Sequence, residues 1–193
     1  MPGEDLGRIT DAGSVQQFVQ GDGGDQGLTI GRVLHQDVAG MPGLAEAGDR
    51  FGAALALQGD LPMAGDSGSP PDLVIGVPGE DIGSVADAGA LCWLPLRRNG
   101  SAIMARRGSL LPGTPVTGDR LGAALSTRVT AEDEYSPMAV TTGGSSTPRR
   151  PGTVLTWFAP PFLVGQPSTL TLSTRAAAVG GQVPVPAADT SGV

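Results

Sequence analysis

Residues 48–95 decide the fold of this chain: they read GDRFGAALALQGD, then a loop rich in glycine, proline and serine, and then PDLVIGVPGEDIGSVADAGALCWLP. Two parts of this stretch recur elsewhere. PGEDIGSVADAG at 78–89 is identical at 8 of 12 positions to PGEDLGRITDAG at 2–13. GDRFGAAL at 48–55 is identical at 7 of 8 positions to GDRLGAAL at 118–125. The offsets, 76 and 70 residues, are nearly constant, which predicts a repeat architecture.

The repeated unit contains short apolar runs at 51–57, 73–77 and 89–94, each bordered by glycine, aspartate or proline. Runs of this length with such borders are typical of buried strands rather than of helices. The segments between them have the composition of turns. We therefore predict three strands per unit in a small antiparallel sheet. Eight side chains from these runs are predicted to be buried: Phe51, Leu73, Ile75, Leu91, Trp93, Leu121, Val154 and Trp157.

These residues resemble an FG-GAP repeat, the unit found in the blades of the integrin α-subunit β-propeller and in many secreted bacterial proteins. The resemblance is carried by Phe51-Gly52, by PDLVIGVPG at 71–79 and by Gly89-Ala90-Leu91, with Gly76-Val77-Pro78 in the place of Gly-Ala-Pro. It extends over residues 2–158 and implies an all-β fold of antiparallel propeller blades. Because complete propellers have about four to eight blades, the two to three present here predict an incomplete one.

The resemblance divides the chain into four parts. These are the closing part of a truncated repeat (1–20), the central repeat (21–95), a degenerate repeat (96–158), and an edge strand with a disordered tail (159–193). Met1 occupies the place of Val77 in the alignment of the copies, so the chain begins inside a repeat. We therefore expect further blades upstream of Met1 or on another chain.

Composition excludes several classes of partner. The formal net charge is −7 and all twelve basic residues are arginine, without a basic cluster that could follow a nucleic-acid backbone. The arginine pairs at 97–98, 106–107 and 149–150 are interpreted as solvated turn residues. No apolar run reaches the length needed to span a bilayer. Cys92 is the only cysteine, and its place in an apolar run predicts a buried, inert thiol.

A calcium site is the one metal site that the sequence suggests. FG-GAP repeats often hold Ca²⁺ in an aspartate-rich loop, and Asp60, Asp66 and Asp72 lie in the corresponding loop here. Carboxylate oxygens are the ligands that this cation prefers. However, Pro62 and Ala64 stand where oxygen ligands belong, and Asp60 and Asp72 are twelve rather than eight residues apart. Two interpretations stay open, a weak calcium loop and an elongated turn without metal.

Residues 65–70, GDSGSP, match the nucleophile motif of chymotrypsin-like serine proteases. Such an enzyme needs a histidine as base and an aspartate to orient it. The only histidine, His35, precedes Ser67 by 32 residues, too few to hold most of one barrel. A chance match is the favoured interpretation.

By resemblance, the predicted function is a non-catalytic extracellular or cell-surface module for adhesion or binding, whose propeller loops contact a protein or glycan. The alternative is a non-catalytic propeller part of, or accessory to, a secreted hydrolase. A fold does not by itself fix a function.

Overall fold

The structure is a computed structural model that describes residues 1–20, 27–58, 72–96, 101–111, 113–127 and 138–142, and the backbone of four short strands beyond them. These residues form strands and turns without a helix, so this part of the chain contains no helix that could cross a membrane. The strands are β1 (Val15–Gln20), β2 (Leu28–Leu34), β3 (Leu55–Gln58), β4 (Asp72–Val77), β5 (Ala90–Pro95), β6 (Ile103–Arg107), β7 (Leu110–Leu111), β8 (Leu125–Thr127), β9 (Met138–Thr141), β10 (Ser145–Ser146), β11 (Arg149–Arg150), β12 (Thr153–Trp157) and β13 (Leu172–Ser173).

Three main sheets follow one another along the chain. The first is the antiparallel pair β1-β2; the central sheet has the order β3-β4-β5-β6-β7, antiparallel except for the parallel pair β6-β7; and the last has the order β8-β9-β12-β13. The small hairpin β10-β11 lies in sequence between β9 and β12. The predicted all-β class is confirmed. The finer assignment of these sheets to propeller blades stays a prediction.

The central sheet is buried on both faces. One apolar cluster includes Val15 and Leu34 of the first sheet with Ile75, Val77 and Cys92 of the central sheet. A second cluster joins the central sheet to the last one: Val74, Leu91, Trp93, Ala105, Leu111, Leu121, Met138 and Val140. A strand packed on both faces needs apolar residues at successive positions. This is why β4 and β5 read as continuous apolar runs, and each large side chain so buried contributes about 1.5–3 kcal/mol.

The two copies of the PGED segment form loops with the same internal hydrogen bonds. In the first loop the amide of Gly13 donates to the carbonyl of Glu4 at 2.9 Å, and in the second Gly89 donates to Glu80 at 2.9 Å. An aspartate side chain accepts a backbone amide at 2.8 Å in each loop; the pairs are Asp5 with Asp11 and Asp81 with Asp87. The similarity of sequence is thus accompanied by similarity of backbone structure.

These loops also connect neighbouring sheets in the same way. The amide of Phe51 donates to the carbonyl of Ala12 at 2.9 Å, and that of Leu121 to Ala88 at 3.1 Å. Gly89 lies so close to Leu121 that an added Cβ would stand 2.3 Å from its nitrogen. Each copy of the GDR-GAAL segment therefore docks on the loop that precedes it in the stack.

The predicted burial agrees with the structure for five of the six predicted side chains it describes: Phe51, Ile75, Leu91, Trp93 and Leu121 are buried, and Leu73 is half-buried. The side chains of Val154 and Trp157 lie outside the described part. The strand predicted over 51–57 begins only at Leu55, because residues 51–54 turn to dock against the first loop.

Two further predictions were wrong. Three strands were predicted per unit, but the central sheet has a fourth, β6, and the short β7. The pair Arg106-Arg107 belongs to β6 and is half-buried rather than in a solvated turn. Arg107 Nε contacts Asp119 Oδ2 at 3.0 Å, and this ion pair explains how an arginine lies in a strand that packs between sheets.

Cys92 should be unreactive in the folded protein. Its side chain is buried in the centre of β5, and burial raises the pKa of its thiol to about 12. Because the thiolate is the nucleophile, we expect no labelling by a thiol reagent such as iodoacetamide at pH 8 and full labelling in denaturant. Mass spectrometry of labelled protein checks this expectation, and rapid labelling of the native chain would contradict the packing of β5.

Candidate functional site

The predicted calcium ligands are only partly accessible to test. Asp60 and Asp66 lie outside the described residues, as does Ser67 of the protease-like motif. Asp72 is the first residue of β4 and is buried. Within the described ranges no group of three or more potential metal ligands occurs. The calcium loop therefore stays a prediction, and a comparison of melting temperatures with and without Ca²⁺ would test it.

A pair of buried carboxyl groups that the sequence analysis did not single out lies between the first and central sheets. Glu80 is 7% exposed and Asp49 is 1% exposed. The carbonyl of Asp49 accepts a hydrogen bond from the amide of Gly79 at 3.0 Å, which places the two acidic residues side by side. Gln36, which follows β2, donates from Nε2 to Glu80 Oε2 at 2.7 Å. The segment after β2 is thereby connected to the loop after β4.

Local turns hold both acids in place. The amide of Glu46 donates to Asp49 Oδ2 at 2.6 Å, so Asp49 closes its own turn. Gly79 approaches the same turn so closely that an added Cβ would stand 1.9 Å from the carbonyl oxygen of Gly48. Only glycine at position 79 allows this approach, and Glu80 follows it directly. The repeated motifs GDR and PGED therefore meet at this point.

Burial changes the ionisation of both acids. It raises the pKa of Asp49 to about 6, a rise reinforced by the charges of Glu46 and Asp81 and opposed by the hydrogen bond from the Glu46 amide. Burial likewise raises the pKa of Glu80 to about 7, although the hydrogen bond from Gln36 opposes the rise. Removal from water disfavours the charged form of a carboxyl group. The site therefore takes up and releases protons near neutral pH.

The equivalent position in the next sheet has an ion pair instead. Gln36 comes two residues after Leu34, which pairs with Val15; Arg107 comes two residues after Ala105, which pairs with the equivalent residue Leu91. Arg107 binds Asp119, the equivalent of Asp49. Glutamine in place of arginine leaves the carboxyl pair without this cation.

The chemistry open to this arrangement is proton uptake coupled to the packing of two sheets. Both carboxyl groups are covered, so the geometry suits a structural role rather than acid–base work on a substrate. The signal for the site was present in the sequence, because Asp49 and Glu80 each lie in one of the duplicated motifs. The identity of their partner, Gln36, depends on the fold and could not be found from spacing.

A second candidate site is formed by the exposed tips of the two duplicated loops. In the first tip the amide of Leu6 donates to the carbonyl of Ile9 at 3.0 Å, and in the second Ile82 donates to Val85 at 3.0 Å. Each tip contains a glycine in the left-handed region, with φ of 66° at Gly7 and 63° at Gly83. The tip residues after these glycines are exposed: Arg8 in the first loop and Ser84 in the second. The backbone is thus the same and the presented side chain differs.

No protein-family model matches the chain, and no curated protein has significant sequence similarity to it. The FG-GAP resemblance accordingly stays a prediction based on the residues that carry it.

Proposed function

We propose that this chain is a non-catalytic extracellular binding module of the FG-GAP propeller type, which presents loops from stacked sheets to a protein or glycan. The observation that carries the proposal is the pair of loop tips with identical backbone bonding and different exposed side chains. Binding residues are frequently found on loops positioned by a rigid scaffold. The hydrogen bonds from Phe51 and Leu121 fix each loop to the sheet beside it.

The tips present chemistry suited to polar recognition. Arg8 offers a guanidinium group that can form paired hydrogen bonds with carboxylate or sulfate groups of a protein or glycan. Ser84 offers a hydroxyl group that both donates and accepts. In each tip a pair of half-buried apolar residues supports these groups from below: Leu6 with Ile9, and Ile82 with Val85.

The test is binding to a panel of matrix proteins and acidic and neutral polysaccharides, measured by biolayer interferometry with the immobilised chain. Arg8→Ser, which gives the first tip the side chain of the second, should lower the affinity for the bound ligand about tenfold because a contact residue is lost. The melting temperature should not change, since Arg8 is exposed. Arg32→Ser on β2 makes the same change of charge at an exposed position outside the tips. Equal loss of affinity in both variants, or binding of no panel member, would argue against the proposal.

A further inference from the structure

The inner edge of β1 lacks a strand that the central sheet has. β1 occupies in the first sheet the place of β5, and β5 pairs with β4 on one edge and β6 on the other. β1 pairs with β2, the equivalent of β6, and among the described residues its other edge pairs with no strand. The first sheet thus has no described counterpart of β4.

Two leucines beside this edge are exposed as a result. Leu55 of β3 is 49% exposed and Leu57 is 46% exposed, although both lie on the face of the central sheet that points to the first sheet. The equivalent of Leu55 in the last sheet is Leu125, which packs against a cluster that includes Val74 of β4. A strand with the place of β4 in the first sheet would therefore cover Leu55.

The pairing that such a strand would continue has already begun at Met1. The ammonium group of Met1 donates to the carbonyl of Ser14 at 2.6 Å, and the amide of Ser14 donates to the carbonyl of Met1 at 3.0 Å. This pair matches the pair of Val77 with Ala90, at the end of the ladder between β4 and β5. An added strand would extend the same antiparallel ladder along β1.

The composition of β1 also permits strand addition. Its sequence, VQQFVQ, contains no charged residue and no proline, whereas β2 at the opposite edge carries Arg32 and an irregularity of register. Charges, proline and bulges are the features that protect sheet edges from pairing with other strands. The inner edge of β1 has none of them.

We propose that the inner edge of β1, together with Leu55 and Leu57, is a binding site for an extended apolar segment of a second polypeptide. The segment adds to β1 as an antiparallel strand, with main-chain hydrogen bonds along the edge and alternate side chains on the exposed leucines. Its chemistry is that of β4, whose sequence LVIG at 73–76 fills the equivalent place in the central sheet. The proposal is independent of the loop tips and of their ligand.

The first experiment uses a fluorescein-labelled peptide, GSLVIG, titrated with the full chain and followed by fluorescence anisotropy. We expect saturable binding that is lost for GSSTSG, in which polar residues replace the apolar ones. Leu55→Ser should weaken binding about tenfold by removing a covering contact. Leu44→Ser is the matched control, because Leu44 is also exposed but lies in the segment between β2 and β3.

A second experiment keeps the proposal testable if the free peptide binds weakly. GSLVIG joined directly before Met1 has a high effective concentration at the site. Amide hydrogen exchange of β1 should then slow about tenfold or more relative to the chain joined to GSSTSG, because its edge amides acquire partners. Protection without saturable binding of the free peptide would overturn the assignment to a second polypeptide. Equal exchange in the two fused chains would overturn the site itself.

Discussion

Gly76→Ala should lower the free energy of unfolding by about 3 kcal/mol, the upper part of the range for overpacking a core. A Cβ at position 76 would stand 2.1 Å from the carbonyl oxygen of Gly122 in the last sheet. The obstacle is backbone, so it cannot be relieved by a change of rotamer. The amides of Gly76 and Gly52 also take part in the hydrogen bonds at this point, with Ala54 and with the Gly76 carbonyl. The two sheets would have to move apart.

The measurement is urea denaturation, with Gly27→Ala as the matched control. An added Cβ at Gly27 meets nothing within 4 Å, so this variant should unfold within about 0.5 kcal/mol of the parent, as surface substitutions usually do. The chain contains an internal comparison as well. Thr141 occupies in the last sheet the place of Gly76, and its amide donates to Ala124 as that of Gly76 does to Ala54. Equal stability of the two alanine variants would contradict the close approach of the central and last sheets.

Stability should fall as the pH rises from about 4 to 7, and Glu80→Gln should remove much of this dependence. The folded pKa of Glu80, about 7, exceeds its ordinary value of 4.5, so the folded state binds more protons than the unfolded state in this window. Stability is therefore full below the ordinary pKa and is lost as the pH rises through the folded pKa. A rise from 4.5 to about 7 corresponds to about 3 kcal/mol. Asp49, raised to about 6, acts in the same direction.

Urea denaturation at pH 5 and pH 8 measures the effect. Glu80→Gln keeps an oxygen to accept from Gln36 but cannot ionise, so this variant should exceed the parent in stability at pH 8. Glu4→Gln is the control, because Glu4 is the equivalent residue of the first loop and is exposed. Gln36→Arg should also stabilise the protein at pH 8 by placing a cation beside the carboxyl pair, as Arg107 is placed beside Asp119. A parent chain that is equally stable at both pH values would contradict the burial of Glu80 as an acid with a raised pKa.

The strands of the centre could be predicted from sequence because their pattern has one physical cause. β4 and β5 are buried on both faces, so continuous apolar runs bordered by glycine and proline mark them clearly. β2 was predicted at its observed bounds for the same reason of local composition. The duplicated PGED and GDR segments indicated a repeated structure before any coordinate was available.

What the sequence concealed depends on contacts between distant segments. β6 escaped prediction because IMARR ends in two arginines, and only the carboxylate of Asp119 makes this acceptable in a packed strand. The carboxyl site was missed because Gln36 and Glu80 are 44 residues apart and meet only when two sheets stack. Leu55 and Leu57 looked like core residues, but the strand that would cover them is not among those described.

The central claim is that equivalent loops fix each sheet to the next, and amide hydrogen exchange followed by NMR tests it most directly. The amides of Phe51 and Leu121 lie outside any strand of the sheets, yet they donate to Ala12 and Ala88 of the neighbouring loops. The account predicts that both exchange as slowly as the amides of β4 and β5, since all are released only when the stacked sheets separate. Rapid exchange of Phe51 and Leu121 beside a protected β4 would contradict it.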